Sequence, residues 1–523
     1  MLITDILARN AGEYADEVSL VERDPAIGRR RELTWKAFAG QAHRVADALG
    51  ARGVRKGDKA AILLVNSLEW LPIYFGILAA GAWAVPLNFR FSSSEILRCL
   101  EVSEAKVLFY GPEFRDRIRE IRDHLSAVEA FLYVGDEEEP GAERLNEVLV
   151  GAREDVPGPR LTEADEAALY FTSGTTGQPK PILLTHGNLA AACLTEHRHH
   201  RQRHGDNFIC IPPLYHTGAK MHWFGNLLVG ARAVILRGVS PRWILEAVSE
   251  EQGTIVWLLV PWAQDILTAI ETGDLDPAAF RLDQWRLMHI GAQPVPPSLV
   301  RRWLARFPGH AYDTNYGLSE ATGPGCVHLG LENVHRVGSI GRPGFGWEAR
   351  IVGDGGDPLA PGAVGELAVR GPGVMKEYYR NPAATAQALR DGWLFTGDMA
   401  RIDEDGFVWL VDRKKDVIIT GGENIFPVEI EDFLRAHPDV RDAAVIGLPD
   451  PRLGEVPVAV VERQPWAGEG PDDLLSYCDA LPRYKRPRAI LYGEVPRNPT
   501  GKIEKPRLRE RYAGTRGAFT PAG

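Results

Sequence analysis

Cysteine is scarce in this 523-residue chain. The five thiols, Cys99, Cys193, Cys210, Cys326 and Cys478, are odd in number, scattered and never in CxxC spacing. That pattern fits a reducing, cytoplasmic compartment better than a disulfide framework or a zinc site. Positive charge is also short. Against 70 acidic side chains stand 60 basic ones, a formal charge of −10, which argues against nucleic acid as a partner but leaves room for a local cationic pocket. The opening MLITDILARNAGEYADE lacks the apolar core of a secretory leader, and the closing AFTPAG matches neither a peroxisomal nor an ER-retention signal. An uncharged run at residues 70–87 approaches the length of a membrane span, but Pro72, Gly76, Gly81 and Pro86 interrupt it. It reads as a buried short helix followed by a strand, so no span is expected.

What is present is the balance of a soluble globular protein, 45% hydrophobic and 25% charged, in a chain too long for one core. The first four hundred residues alternate helical and strand patterns. Leu33, Trp35, Phe38, Val45 and Leu49 fall mostly at helical spacing, Gly53 follows as a stop, and residues 60–65 read as a buried strand. Ser92 and Glu95 form a capping-box pattern ahead of Ile96, Leu97 and Leu100, and the strand AKVLFY comes next. This alternation predicts an α/β fold, helices layered on mostly parallel sheets. GDEEEPGAE (135–143) reads as a solvated loop. Between about 338 and 410 the texture becomes short strands and glycine-rich turns. Asp405-Gly406 lies between alternating apolar residues as a hairpin signal, so a small antiparallel β-barrel or sheet is expected. Alternation resumes after VDRKKD. The expected organisation is a large N-terminal domain (1–412) and a small, mobile α+β C-terminal domain (413–523) with a disordered tail.

Residues 169–187 read LYFTSGTTGQPKPILLTHG. A strand feeds Thr172, Ser173, Gly174, Thr175, Thr176 and Gly177, and Lys180 closes the run. Small residues let backbone N–H groups converge on an anion, hydroxyls add donors, and a lysine balances phosphate charge. The nucleotide-binding GxxxxGK[ST] pattern is not met, because no Ser or Thr follows the lysine and PILLTH looks like a strand. A flexible linker would explain the glycines but not the spacing to Pro179 and Lys180. Further along stand PPLYHTGA (212–219), GAQPV (291–295), YGLSE (316–320), GELAVRGPGVMKEYY (365–379), GWLFTGD (392–398), DRKKDVIITGGENIFPVEIE (412–431) and NPTGKI (498–503). With these motifs in this order, nearly the whole chain resembles the adenylate-forming superfamily of acyl-CoA synthetases, luciferases and peptide-synthetase adenylation domains.

The resemblance implies ATP, Mg2+ and coenzyme A as partners of a small carboxylic acid, with a homodimer left open. It makes Glu320 the magnesium carboxylate, suited to a hard cation, and Ser319, where the family usually has Thr, a donor to phosphate. Tyr316 would stack on adenine, with Asn315, Gly317, Gly291 and Ala292 around the base, although an ordinary core tyrosine reads the same outside this motif. Asp398 would take the ribose hydroxyls and Arg413 would be their second contact. Lys415 falls at the hinge position. Lys502 matches the lysine that bridges substrate carboxylate and phosphate during adenylation, and Gly421 and Gly422 would then pass the pantetheine arm. His216 would gate the acyl pocket, a structural histidine being the alternative.

Arg90 matches a position that meets the nucleotide phosphate of CoA in some ligases, and Lys485, Arg486 and Arg488 form a second cationic cluster. The stretch EHRHHRQRH (196–204) puts His197, His200 and His204 near one helical face; with no acidic or cysteine partner in view, a polar helix face is expected rather than a metal site. An acid:CoA ligase is the function implied, with a medium-chain, alicyclic or aromatic substrate. The apolar, tryptophan-containing set His216, Thr217, Gly218, Trp223, Val260, Pro261, Gly291, Tyr316 and Gly317 suggests that class. The alternative is an enzyme that loads an acyl or aminoacyl group on a carrier protein.

Overall fold

The alternating segments assemble into two large sheets in the computed structural model, which describes residues 1–155, 158–172, 180–291, 295–323, 325–420, 423–467, 474–497 and 503–513. One sheet runs through Arg342–Pro343, Val327–His328, Ala311–Tyr316, Leu287–Gly291, Ile255–Leu259, Asn207–Cys210, Arg232–Leu236, Val18–Asp24 and Arg29–Thr34. Its interior pairs are parallel, from Ala311–Tyr316 across to Val18–Asp24. The second runs through Glu377–Tyr378, Lys180–Thr185, Glu166–Thr172, Trp83–Pro86, Lys59–Leu63, Val107–Tyr110, Ala130–Tyr133 and Glu143–Arg144. Strands covered on both faces must be apolar throughout, and IVWLL at Ile255–Leu259 is buried at every position.

The helices Trp35–Ala51, Trp70–Ala79, His186–His200 and Thr217–Leu228 fill the space between the sheets. Their Trp35, Phe38, Trp70, Phe75, Leu189 and Trp223 pack with Ile62 of one sheet and Phe208 and Ile235 of the other in a single core. Residues 70–87 are the expected buried helix and strand, with Gly81 turning between them at φ +73°, where an added Cβ would lie 2.7 Å from Pro159. Among the described residues no helix is long and apolar enough to cross a membrane. The Ser92–Glu95 capping box forms as read.

Two local expectations are corrected. Leu33 belongs to the strand Arg29–Thr34 and not to the helix, because Thr34 caps that helix by accepting from the Ala37 N–H at 3.2 Å. The 135–143 loop is not simply solvated: Glu139 is 4% exposed, clamped by Arg115 and Arg119 at 2.5 and 2.8 Å.

A third, antiparallel sheet holds Glu348–Val352, Gly365–Arg370, Leu389–Arg390, Trp393–Ile402 and Val408–Arg413, the last two joined at the expected Asp405-Gly406 turn. A fourth joins Glu423–Ile425, Ile418–Thr420, Gly454–Arg463, Val440–Asp450 and Ile490–Tyr492, covered by the helix Pro427–Arg435. The architecture is therefore the expected α/β fold with a half-barrel sheet and an α+β C-terminal part.

Candidate active site

The functional motifs sit at strand ends, where the chain leaves one element for the next. Strands Glu166–Thr172 and Lys180–Thr185 form a hairpin with Thr172 opposite Lys180. Ser173, Gly174, Thr175, Thr176 and Gly177 lie outside the described residues, as do Ala292, Gly421, Gly422 and Lys502. Lys180 projects its ammonium over the Tyr378 ring, 5.4 Å from the centroid. The Tyr378 hydroxyl in turn donates to Glu320 Oε1 at 2.8 Å. Burial and the neighbouring Glu320 charge push the Tyr378 phenol well above its usual range, so it stays a donor to that carboxylate. Tyr378 was not singled out from the sequence. Its signal is register: the two-residue strand Glu377–Tyr378 pairs with Lys180–Thr185, which puts Tyr378 opposite Ile182. The Glu320 backbone is held as well, its carbonyl accepting from the Met375 N–H at 2.7 Å.

Tyr316 ends the strand Ala311–Tyr316 and is buried. Its hydroxyl donates to Asp398 Oδ2, and Arg413 Nε lies 3.3 Å from Asp398 Oδ1. Asp398 and Arg413 are cross-strand partners in the third sheet, so a hairpin register creates the pair. Burial, reinforced by the Asp398 charge, holds the Tyr316 phenol well above its usual range. Gly317 has no alternative: a Cβ there would stand 1.9 Å from the Gly323 carbonyl oxygen. Ser319 Oγ meets Thr217 Oγ1 at 3.3 Å, which ties YGLSE to the helix that opens after His216. His216 is the N-cap of that helix, and its ring packs on Tyr215 at 4.4 Å.

Gly291 ends the neighbouring strand, with Asn315 Oδ1 and Trp257 Nε1 3.8 and 3.9 Å from the position of a Cβ. The Asn315 amide donates to His222 Nε2 at 3.0 Å and lies 3.4 Å from Glu196. Gly218 faces the Trp257 ring so closely that a Cβ would come within 2.9 Å of it, and His222 stacks on the same indole at 4.3 Å. Arg90 is exposed beside Phe89, whose ring meets Tyr215 edge-on at 5.2 Å. Lys415 is exposed next to Arg413. In the second cationic cluster, Lys485 pairs with Glu429 at 2.7 Å and Arg486 with Asp479 at 2.6 Å, which neutralises most of its charge.

The histidine stretch is the main departure from expectation. It is not a polar helix face without acidic partners. His200 is fully buried at the end of the helix His186–His200, between Glu196 and Asp313. His197 is half-buried, and His204 is exposed with Glu17 at 2.9 Å. Asp313 comes from a strand more than a hundred residues away, a juxtaposition that sequence spacing does not reveal.

The family profile described as AMP-binding enzyme matches residues 7–379, and that described as AMP-binding enzyme C-terminal domain matches residues 429–502. A feruloyl-CoA synthase from Amycolatopsis is 36% identical over 92% of this chain and 94% of its own. An indoleacetate–CoA ligase from Aromatoleum aromaticum is 34% identical over the same shares. The crystal structure of an anthranilate CoA ligase in complex with anthranoyl-AMP superposes with a TM-score of 0.89 at 27% identity, covering 98% of this chain and 97% of that one.

Proposed function

The chain belongs to the AMP-binding enzyme family, and from that premise we propose that it is an AMP-forming acid:CoA ligase acting on an aromatic carboxylic acid. The observation that carries this reading is the convergence of Lys180, Tyr378 and Glu320 on one side and Tyr316, Asp398 and Arg413 on the other. The first group supplies cationic and metal-binding chemistry for phosphates, and the second a carboxylate for vicinal hydroxyls.

In the first reaction a carboxylate oxygen attacks the α-phosphorus of ATP, the bond to pyrophosphate breaks, and acyl-AMP forms. Both reactants are anions, so the site must neutralise charge as they approach. Lys180 contributes one cation, and Lys502 is proposed to bridge the two reactants. Glu320, with one oxygen accepting from Tyr378, suits the Mg2+ that accompanies ATP, and the ion would supply further charge neutralisation at the phosphates. Asp398, oriented by Tyr316 and Arg413, is proposed to hold the ribose, with Asn315, Gly317 and Gly291 bordering the base. In the second reaction the CoA sulfur attacks the acyl carbonyl and AMP leaves. Rotation of the C-terminal part about Lys415 is proposed to withdraw Lys502 and bring Gly421 and Gly422 to the thiol path, with Arg90 on the CoA phosphate.

Similarity to named relatives supports an aromatic acid. The relatives and solved structures include proteins named for ferulate, indoleacetate, anthranilate and succinylbenzoate. The test is pyrophosphate release over benzoates, cinnamates, arylacetates and straight-chain acids of graded length, with and without CoA, with thioester followed by mass. Acid-dependent pyrophosphate release with acyl-CoA formed from an aromatic acid supports the proposal. Release without thioester points to a carrier-protein acceptor, and a preference for straight-chain acids overturns the substrate assignment.

A further inference from the structure

A second group of side chains converges beneath the site just described and takes no part in the chemistry above. Parallel pairing puts Trp257 beside His289 and His289 beside Asp313, so three neighbouring strands present these residues in a row. Antiparallel pairing puts His328 opposite Asn315 at the end of the same face. The helix His186–His200 adds Glu196 and His200 from above. Glu196, His200, His289 and Asp313 are completely buried and His328 is 2% exposed.

The geometry is centred on one oxygen. Asp313 Oδ2 lies 2.8 Å from His200 Nε2, 3.5 Å from His289 Nδ1 and 3.5 Å from His328 Nδ1. The ligand atoms of His200, His289 and Asp313 all fall within 4.8 Å of one another. A tetrahedral ion with imidazole and carboxylate bonds of about 2.0–2.1 Å has ligand–ligand edges of about 3.4 Å, so small movements would seat one on His200, His289 and Asp313, and His328 must close in further to complete the four. Partners for the outer atoms stand close by. The second nitrogens of two of these rings, His200 Nδ1 and His328 Nε2, lie 3.0 and 3.7 Å from Glu196, and the second oxygen of Asp313 accepts from the Gly330 N–H at 3.0 Å.

Without an ion the cluster is poorly satisfied. Among the described residues neither ring nitrogen of His289 or of His328 completes a hydrogen bond, although both rings are buried. One carboxylate oxygen has two lone pairs and cannot serve three imidazoles, and unpaired buried polar atoms are costly. The ion pairs of Glu196 and Asp313 are to imidazoles, and a protonated His200 between them would supply one positive charge for two buried negative ones, so the balance is incomplete. A single dication would meet all three demands.

We propose that His200, His289, His328 and Asp313 bind one divalent transition-metal ion, zinc by the ligand set, in a closed site with Glu196 as the outer carboxylate for His200 and His328. The site is structural. It fixes the strand ends that carry Gly291 and Tyr316, and reaches the nucleotide side through Glu196, Asn315 and His222. It needs neither ATP nor the acid.

The experiment uses the full chain without a polyhistidine tag, grown with added zinc and purified without chelator. Elemental analysis is expected to find about one zinc per chain. Stripping should lower the unfolding temperature, and refilling with Co2+ should give the visible absorption of a four-coordinate site. His289→Gln and His328→Gln should each lose that absorption, whereas His222→Gln, which offers no ligand, should keep it. The proposal is overturned if folded wild-type protein takes up neither zinc nor Co2+, which would make the cluster a bare imidazolium–carboxylate network. It is equally overturned if both ligand variants keep the metal, because the ion then sits elsewhere. Should the variants fail to fold, the Co2+ titration of wild type decides.

Discussion

Glu320 is proposed to face the phosphates, and its orientation comes from Tyr378 and from the Met375 N–H on its own carbonyl. Removing the carboxylate by Glu320→Ala should slow acid-dependent pyrophosphate release by on the order of a hundredfold or more, since phosphate charge is left uncompensated. Tyr378→Phe keeps the ring under Lys180 but deletes one hydrogen bond to a charged group, so a smaller loss, about tenfold, is expected. If the two substitutions cost the same, Tyr378 is doing more than orienting Glu320. Gly317→Ala tests the backbone. With only 1.9 Å to the Gly323 oxygen, the loop must shift, and the protein should lose about 1–3 kcal/mol of stability as well as activity. Chemical denaturation beside an adenylation assay reads both. The motif residues were legible because their chemistry demands particular side chains at fixed spacing. Tyr378 and the partners of His200 were not, since each depends on a strand register or a helix face that only the folded chain defines.

Between the third and fourth sheets the chain passes through Asp412, Arg413, Lys414, Lys415 and Asp416. Asp412 accepts from the Val428 N–H at 3.0 Å, and Asp416 pairs with Arg509 at 2.8 Å, so both acids tie this segment to the C-terminal part. Burial pushes the Asp412 carboxyl from 3.8 up to about 6, against the pull of Lys505. Because its folded value is the higher one, the folded protein holds that proton more tightly. The resulting stability is present below about pH 4 and is lost as pH rises through about 6, a change of up to about 3 kcal/mol. Relative to Asp412→Asn, wild type should therefore weaken between pH 4 and 7 in denaturant titrations, and parallel profiles would show that the carboxyl titrates normally. Lys415→Pro should still make acyl-AMP but transfer it slowly, because proline fixes φ at the proposed pivot. Equal slowing of both half-reactions would remove residue 415 from that role. At this scale the hairpin at Asp405-Gly406 and the helix–strand unit at residues 70–87 were readable from turn chemistry and apolar pattern. The boundary of the Trp35–Ala51 helix was not, because Leu33 is equally apolar on either side of the Thr34 cap.

For the whole molecule, alternation of helix and strand led to the α/β layers, and the glycine-rich middle to a separate antiparallel sheet. The order of strands within each sheet was not accessible, since parallel neighbours such as Leu287–Gly291 and Ala311–Tyr316 are joined only through helices and pair by tertiary packing. That order is what gathers Gly291, Asn315, His289 and His328 on one face. The account's central claim is that one pocket runs adenylation and then thioester formation, with the C-terminal part changing position in between. Lys502→Ala tests it most directly, because its ammonium is proposed to act only while carboxylate meets phosphate. On a variant whose unfolding temperature matches wild type, acid-dependent pyrophosphate release should fall by on the order of a hundredfold or more. Conversion of supplied acyl-AMP and CoA to thioester should remain close to the wild-type rate. An equal fall in both half-reactions on that folded variant would contradict the account.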